Sequence, residues 1–239
     1  MDIKKWMIIL IFSTCCLAGD STYPPAYTSK DLIIRHTAYM LKYNKGMKVP
    51  DWVSYKLTNS MVNGIYERQD NFKEDPSISG GPKPDDYVKS GYDRGHQCPA
   101  GDMSWSETAL SESFYMTNVC PQVSGFNRGI WKELEDQVRK WAVENKELYI
   151  TVGPCQFYNS KIGNQVAIPV YFYKVVLDLK GKKGIGFIFP NKSSNLPLQN
   201  FAVSIDSVES FTKINFFAKV PASIENPIEK KVDLKKWFK

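Results

Sequence analysis

Histidine is the scarcest reactive residue in this 239-residue chain, which has only two, His36 and His96. Any reaction that needs an imidazole near neutral pH must therefore use one of them. The five cysteines include no Cys-x-x-Cys pair, which removes the familiar zinc-ribbon and dithiol arrangements. Low-complexity stretches, Gly/Ser-rich linkers and internal repeats are missing too, so nothing divides the chain into modules. No apolar run approaches the ~20 residues that a bilayer-spanning helix requires.

What is present begins with a basic and then apolar N-terminus. Lys4 and Lys5 precede an apolar run at 6–12, and Cys16-Leu17-Ala18 offers small residues for cleavage. This is the pattern of an export signal. The expected organisation is a signal peptide at 1–18 and one domain at 19–239. The expected location is secreted or periplasmic, with no stable membrane insertion after cleavage. A lipid-anchored form through Cys15 or Cys16 is the less favoured outcome, because the preceding residues fit a lipobox poorly. Losing Lys4, Lys5 and Asp2 takes the net charge from +6 to +5. A modest positive charge suits a polyanionic partner without requiring one.

Cys98, Cys120 and Cys155 remain after cleavage. In an oxidising compartment three thiols mean one disulfide and a free cysteine, or an intermolecular bond. Cys98 with Cys120 is the favoured pair, since each follows a polar candidate (His96 and Asn118) by two residues. A zinc site competes, with spacings that are wide for it.

Hydrophobic patterning predicts short strands near 32–34 and 39–43, and alternation over 53–57 predicts a further one. The stretch 70–92 is rich in Pro, Gly, Asp and Lys and is expected to be an exposed loop. A short helix is expected at 106–113, then a strand-like 114–117. Trp131, Leu134, Val138 and Trp141 recur at helical steps and predict a helix over about 127–145. A buried strand at 148–152 should stop at Gly153-Pro154. Strands at 171–179 and 185–189 flank Lys180-Gly181-Lys182-Lys183-Gly184, a hairpin signal. A last helix is expected at 207–211. Strands and helices mix without a βαβ rhythm, which predicts an α+β fold with a central antiparallel sheet flanked by helices.

Hydrolysis of a phosphodiester needs a base for water, charge relief at phosphorus and stabilisation of the departing oxygen. His96 sits beside Arg94 in a Gly-containing segment, whereas His36 lies in an apolar stretch that suits a core role. An imidazole can take the water's proton and an arginine can grip phosphate bidentately. On an ideal helix Asn127 and Glu135 lie about 80° apart, at one edge of the apolar stripe. Taken alone, Asn127, Glu135 and Arg139 also fit a solvated face with a Glu135–Arg139 ion pair.

The segment Tyr92-Asp93-Arg94-Gly95-His96-Gln97-Cys98-Pro99-Ala100-Gly101-Asp102-Met103 resembles the signature of the DNA/RNA non-specific endonucleases, a family of ββα-metal nucleases. Phe114-Tyr115-Met116-Thr117-Asn118-Val119-Cys120-Pro121-Gln122 and Asn127-Arg128-Gly129-Ile130-Trp131-x-x-Leu134-Glu135 resemble its next two blocks. Weaker likeness, including Arg68-x-x-x-Phe72-x-x-Asp75-Pro76, extends over most of the chain. The three central blocks in order are specific; any one alone is not.

The resemblance implies the ββα-metal nuclease fold and roles for individual residues. His96 would be the general base and Asn127 the direct ligand of one Mg²⁺, with Mn²⁺ or another divalent cation able to substitute. Glu135 would hold a metal-bound water, and Arg94 would contact the scissile phosphate. Arg68 and Arg139 would add positive charge, Asn118 would orient catalytic groups, and Asp93 would support them. The implied activity is cleavage of DNA and RNA to 5′-phosphorylated products. No helix-turn-helix, paired zinc-finger ligands or RNP motif is present, in keeping with a site that grips backbone rather than bases. A catalytically inactive secreted nucleic-acid binder of the same fold is the alternative, and a homodimer stays open.

Overall fold

The computed structural model describes residues 22–238; the expected signal segment lies outside the described residues. Nine strands run in chain order as β1 (Ile33–Arg35), β2 (Tyr39–Asn44), β3 (Val49–Thr58), β4 (Asp93–His96), β5 (Val119–Gln122), β6 (Glu147–Ile162), β7 (Val166–Asp178), β8 (Lys183–Pro190) and β9 (Ala202–Val203). Seven of them form an antiparallel sheet in the order β1-β2-β3-β6-β7-β8-β9, while β4 and β5 pair separately. The helices are α1 (Asn59–Val62), α2 (Ala100–Met103), α3 (Glu107–Ser113), α4 (Lys132–Asn145), α5 (Ile205–Thr212), α6 (Ala222–Glu229) and α7 (Leu234–Trp237). The expected α+β architecture, with helices on a central antiparallel sheet, is what the chain adopts.

Both faces of the large sheet are covered, and side-chain alternation decides what each face touches. Val53, Tyr55 and Leu57 of β3, Leu148, Ile150 and Val152 of β6, and Phe172 and Val176 of β7 pack with α4 and the β4–β5 pair. Their odd-register neighbours Trp52, Tyr149, Tyr173, Val175 and Leu177 pack with α5, α6 and the 214–220 segment. The helix α4 buries Leu134, Val138, Trp141 and Ala142, the stripe expected from its sequence. Burying each such side chain is worth about 1.5–3 kcal/mol, so this helix is held by packing rather than by propensity.

Three local expectations are corrected. The strand expected to stop at Gly153-Pro154 continues to Ile162, with Pro154 opposite Phe172 of β7. Pairing with β3 ends at Val152, so Pro154 lies where β6 has become an edge, and an edge strand tolerates proline. Residues 114–117 form no strand; Phe114 closes α3, and Met116–Asn118 makes a 3-10 turn that leads into β5. The 70–92 stretch is not uniformly exposed, since Asp75 and Tyr87 are buried. Asp75 accepts from the Thr117 hydroxyl and pairs with His36 Nε2 at 3.0 Å, which gives His36 the structural role expected for it.

The most consequential correction concerns the helix expected from residue 127. The regular helix starts only at Lys132, and residues 126–131 form a π-helical turn with Gly129 at φ −102° and ψ −116°. A π turn widens the backbone and is often found at functional sites. Asn127 therefore sits on that turn, and ideal helix arithmetic does not relate it to Glu135.

Candidate active site

The strand β4 ends on His96, and β5 lies against it with Val119 opposite His96 and Cys120 opposite Gly95. Gly95 lets the Gln122 side chain approach closely, since a Cβ would lie 2.1 Å from its oxygen and force that side chain to move. The His96 ring is held between Phe72 and Phe114, with ring centroids 5.0 and 4.9 Å away. His96 is 7 % exposed, and its Nε2 is buried without a hydrogen-bond partner. Burial pushes its pKa down to about 3, and the nearby Arg68 and Arg94 push the same way against Asp70. A neutral imidazole with an unengaged ring nitrogen is the form a general base requires.

His96 opens into a cleft of about 670 Å³ whose walls include Arg68, Asp93, Arg94, Asn127, Glu135 and Arg139. Seven of the eight residues expected to carry or support the chemistry thus meet in one cavity, although the chain separates Arg68 from Arg139 by 71 positions. Arg94 is exposed and stacks over Phe72 at 4.6 Å, while Arg68 stands over Phe114 at 5.6 Å. The two phenylalanines that clamp His96 therefore also seat two guanidinium groups, a favourable cation–π arrangement.

The metal-binding candidate is prepared by its neighbour. Asn127 donates from Nδ2 to Asp93 at 2.9 Å, and Arg128 grips the same carboxylate at 2.9 and 3.0 Å. Against the upward push of burial, these hydrogen bonds hold Asp93 below the usual carboxylate range. With its amide nitrogen engaged, Asn127 has Oδ1 left as a hard oxygen donor. Glu135, half-buried in the same cleft, forms no salt bridge among the described residues. Burial raises its pKa to about 7, opposed first by Lys174. An amide oxygen and a carboxylate across a wet cleft fit Mg²⁺, which keeps several waters. The i,i+4 pair from Glu135 to Arg139 that a plain solvated helix face would carry does not form. Arg139 instead binds Asp102 at 2.7 Å and Asp136.

Asn118 is the expected catalytic residue that does not reach the cleft. It is fully buried, accepts from the Cys98 N–H at 2.9 Å, and donates to the carbonyls of Cys98 and Ser113 at 2.9 and 2.8 Å. It fixes the backbone just past His96 and touches no reacting atom. The expected Cys98–Cys120 disulfide is also absent: both cysteines are free and buried, as single thiols in the core.

Sequence reasoning missed Arg128, Asp102 and Lys174. Arg128 directly follows Asn127 in the chain, and its pairing with Asp93 appears only in the fold. Lys174 lies in a strand of apolar residues, fully buried, with Nζ 4.7 Å from the Trp131 ring and no hydrogen-bond partner. Burial lowers its pKa, against the pull of Glu135 and Asp102. Its position on the same β7 face as Phe172 and Val176 was the available signal, since a lysine there has to point beneath α4.

The family model of the DNA/RNA non-specific endonucleases matches residues 18–223. A nuclease of Nostoc sp. strain PCC 7120 is 34 % identical, with 88 % of this chain and 82 % of that protein covered. Nuclease C1 of Cunninghamella echinulata var. echinulata is 35 % identical, covering 82 % and 86 %. Among solved structures, the EndoG/EndoGI complex contains a chain that superposes with a TM-score of 0.75 at 32 % identity, covering 80 % of this chain and 87 % of that one.

Proposed function

This chain belongs to the DNA/RNA non-specific endonuclease family, with its ββα-metal fold and its phosphodiester-hydrolysing activity, and we propose that it is an exported, Mg²⁺-dependent enzyme with His96 as base and Asn127 as metal ligand. The single observation that carries the reading is that His96, whose Nε2 has no hydrogen-bond partner, lines the same cleft as Asn127 and Glu135. His96, unprotonated at neutral pH, takes a proton from the attacking water. Arg94 grips the non-bridging oxygens, and Arg68 and the exposed Arg128 extend the cationic rim along the strand. Asp93 fixes the rotamer of Asn127 so that Oδ1 faces the cleft. A bound divalent cation supplies charge stabilisation for the leaving 3′ oxygen. Glu135, in the same cleft, would hold one of the waters of that cation.

The cleft offers guanidinium and amide groups, not a device for reading base edges, so DNA and RNA are both accepted and products carry 5′-phosphates. Export is supported by Lys4, Lys5 and the apolar run at 6–12; no helix among the described residues is long and apolar enough to cross a membrane. The test is digestion of plasmid and of structured RNA by the purified chain, with Mg²⁺ and with EDTA, and with His96→Ala beside it. Chelation-sensitive cleavage of both polymers, lost in His96→Ala, is expected. Binding without cleavage at any Mg²⁺ concentration would leave the inactive-binder alternative standing.

A further inference from the structure

On the face of the sheet opposite the cleft, α5 packs on β7 and β8, and α6 packs on β8 and α5. Asp206 and Glu209 lie one turn apart on α5, and Glu225 and Glu229 lie one turn apart on α6. Both spacings put their two side chains on one helix face. Carboxylate oxygens of Asp206, Glu209 and Glu229 all fall within 4.8 Å of one another.

Acidic neighbours on a surface need no explanation, but Glu229 is not on the surface. It is 5 % exposed, and its Oε1 is buried without any hydrogen-bond partner. The Oε1 of Glu225 is likewise buried and unpartnered. Neither of these two unpartnered oxygens has a lysine or arginine nitrogen within hydrogen-bond range. Glu229 also closes α6, at the negative end of the helix dipole, where a carboxylate gains nothing from the backbone. Glu209 has one oxygen committed, accepting from the Phe216 N–H at 2.7 Å. A buried acceptor with neither proton donor nor cation is the arrangement that native proteins avoid.

We propose that Asp206, Glu209 and Glu229 form a second divalent-cation site of calcium type, with Glu225 beside it, that ties α6 to α5. The donors are all hard carboxylate oxygens. Two oxygens that each sit 2.3–2.6 Å from one Ca²⁺ are at most about 5 Å apart, so the cluster is compact enough to share one ion. Calcium tolerates mono- and bidentate carboxylates in irregular geometry, whereas Mg²⁺ prefers to retain waters that the buried Glu229 leaves little room for. The site is structural and independent of the reaction chemistry.

The experiment uses the full mature chain carrying Asn127→Ala, so that the cleft does not report. Ca²⁺ is added at pH 7.5 and followed by calorimetric titration and thermal melting. One bound Ca²⁺ is expected, with Tm rising by about 5–10 °C once the ion exceeds its Kd some hundredfold. Adding Asp206→Asn and Glu229→Gln should abolish both signals and raise the Tm of the ion-free protein, because the repulsion is relieved. No Ca²⁺ binding by the Asn127→Ala chain overturns the proposal, as does equal binding by the triple variant. Stability that is indifferent to Ca²⁺ also overturns it.

Discussion

Asn118→Ala is the perturbation that best separates holding a site from acting in it. Asn118 forms three buried hydrogen bonds, one from the Cys98 N–H and two to the Cys98 and Ser113 carbonyls. Alanine leaves all three backbone groups without that partner, in a place water does not reach. Each orphaned group costs about 1–3 kcal/mol, so the sum for three is roughly 3–9 kcal/mol, against a total stability of about 5–15 kcal/mol. Urea unfolding should therefore show a large drop in midpoint with an unchanged slope. Activity, measured where the variant is still folded, should fall through displacement of the His96 backbone rather than through lost chemistry. Asn118→Asp should be no better, because it keeps the acceptor for Cys98 but turns a carboxylate oxygen toward two carbonyls. A collapse of kcat with the unfolding midpoint unmoved would refute this reasoning and return Asn118 to the reacting groups.

Four further outcomes follow from the same geometry. His96→Ala should lose turnover while retaining DNA affinity, measured by anisotropy in EDTA; digestion at an undiminished rate would remove His96 as base. The neutral form of His96 is favoured in the fold, with a pKa near 3, so between pH 6.5 and 3 the unfolded chain binds more protons and stability is lost as pH falls. His96→Asn should flatten that acid limb in denaturation curves taken pH by pH. Asp93→Asn should raise the Mg²⁺ concentration for half-maximal cleavage and leave kcat at saturating metal largely intact, because it loosens Asn127 without removing it. Arg139→Met should cost about 3–5 kcal/mol by leaving the buried Asp102 unpaired, with little change in KM for DNA; a large KM effect at full stability would show that Arg139 does grip substrate.

The large sheet was legible because its strands are regular: alternation at 53–57 and the Lys-Gly hairpin around 181 report local backbone preferences directly. The end of β6 was not legible, because whether Pro154 ends a strand depends on whether a neighbour needs its N–H, and that is a fact about β3. The π turn was equally hidden, since Asn127 through Trp131 carry the same apolar spacing as the helix that follows. The site residues were found through motif likeness, and the structure adds which of them are available. Asn118 and Asn127 are chemically identical amides; only packing makes one a buried strut and the other a donor facing water. The disulfide expectation failed for a related reason, as closeness to two site residues in sequence says nothing about whether two thiols face each other.

Availability also ranks the cations of the cleft. Arg68 is paired with Asp70, Arg128 with Asp93, Lys132 with Asp136, and Arg139 with Asp102 and Asp136. Among the described residues of the cleft, Arg94 has no carboxylate in salt-bridge range, and it rests on Phe72 alone. The Arg68 and Arg128 side chains are 56 % and 74 % exposed, and exposed pairs are worth only about 0–1 kcal/mol. An incoming phosphate can therefore recruit both arginines at small cost, and the departure of Arg128 still leaves Asp93 holding Asn127. Arg139 is different: its partner Asp102 is buried, so exchanging Asp102 for phosphate would strand a charge in the core. Positive charge in this cleft is thus graded in its availability, from the unpaired Arg94 through the exposed pairs of Arg68 and Arg128 to Arg139 held by the buried Asp102, and the proposed function assigns the scissile phosphate to the first of these.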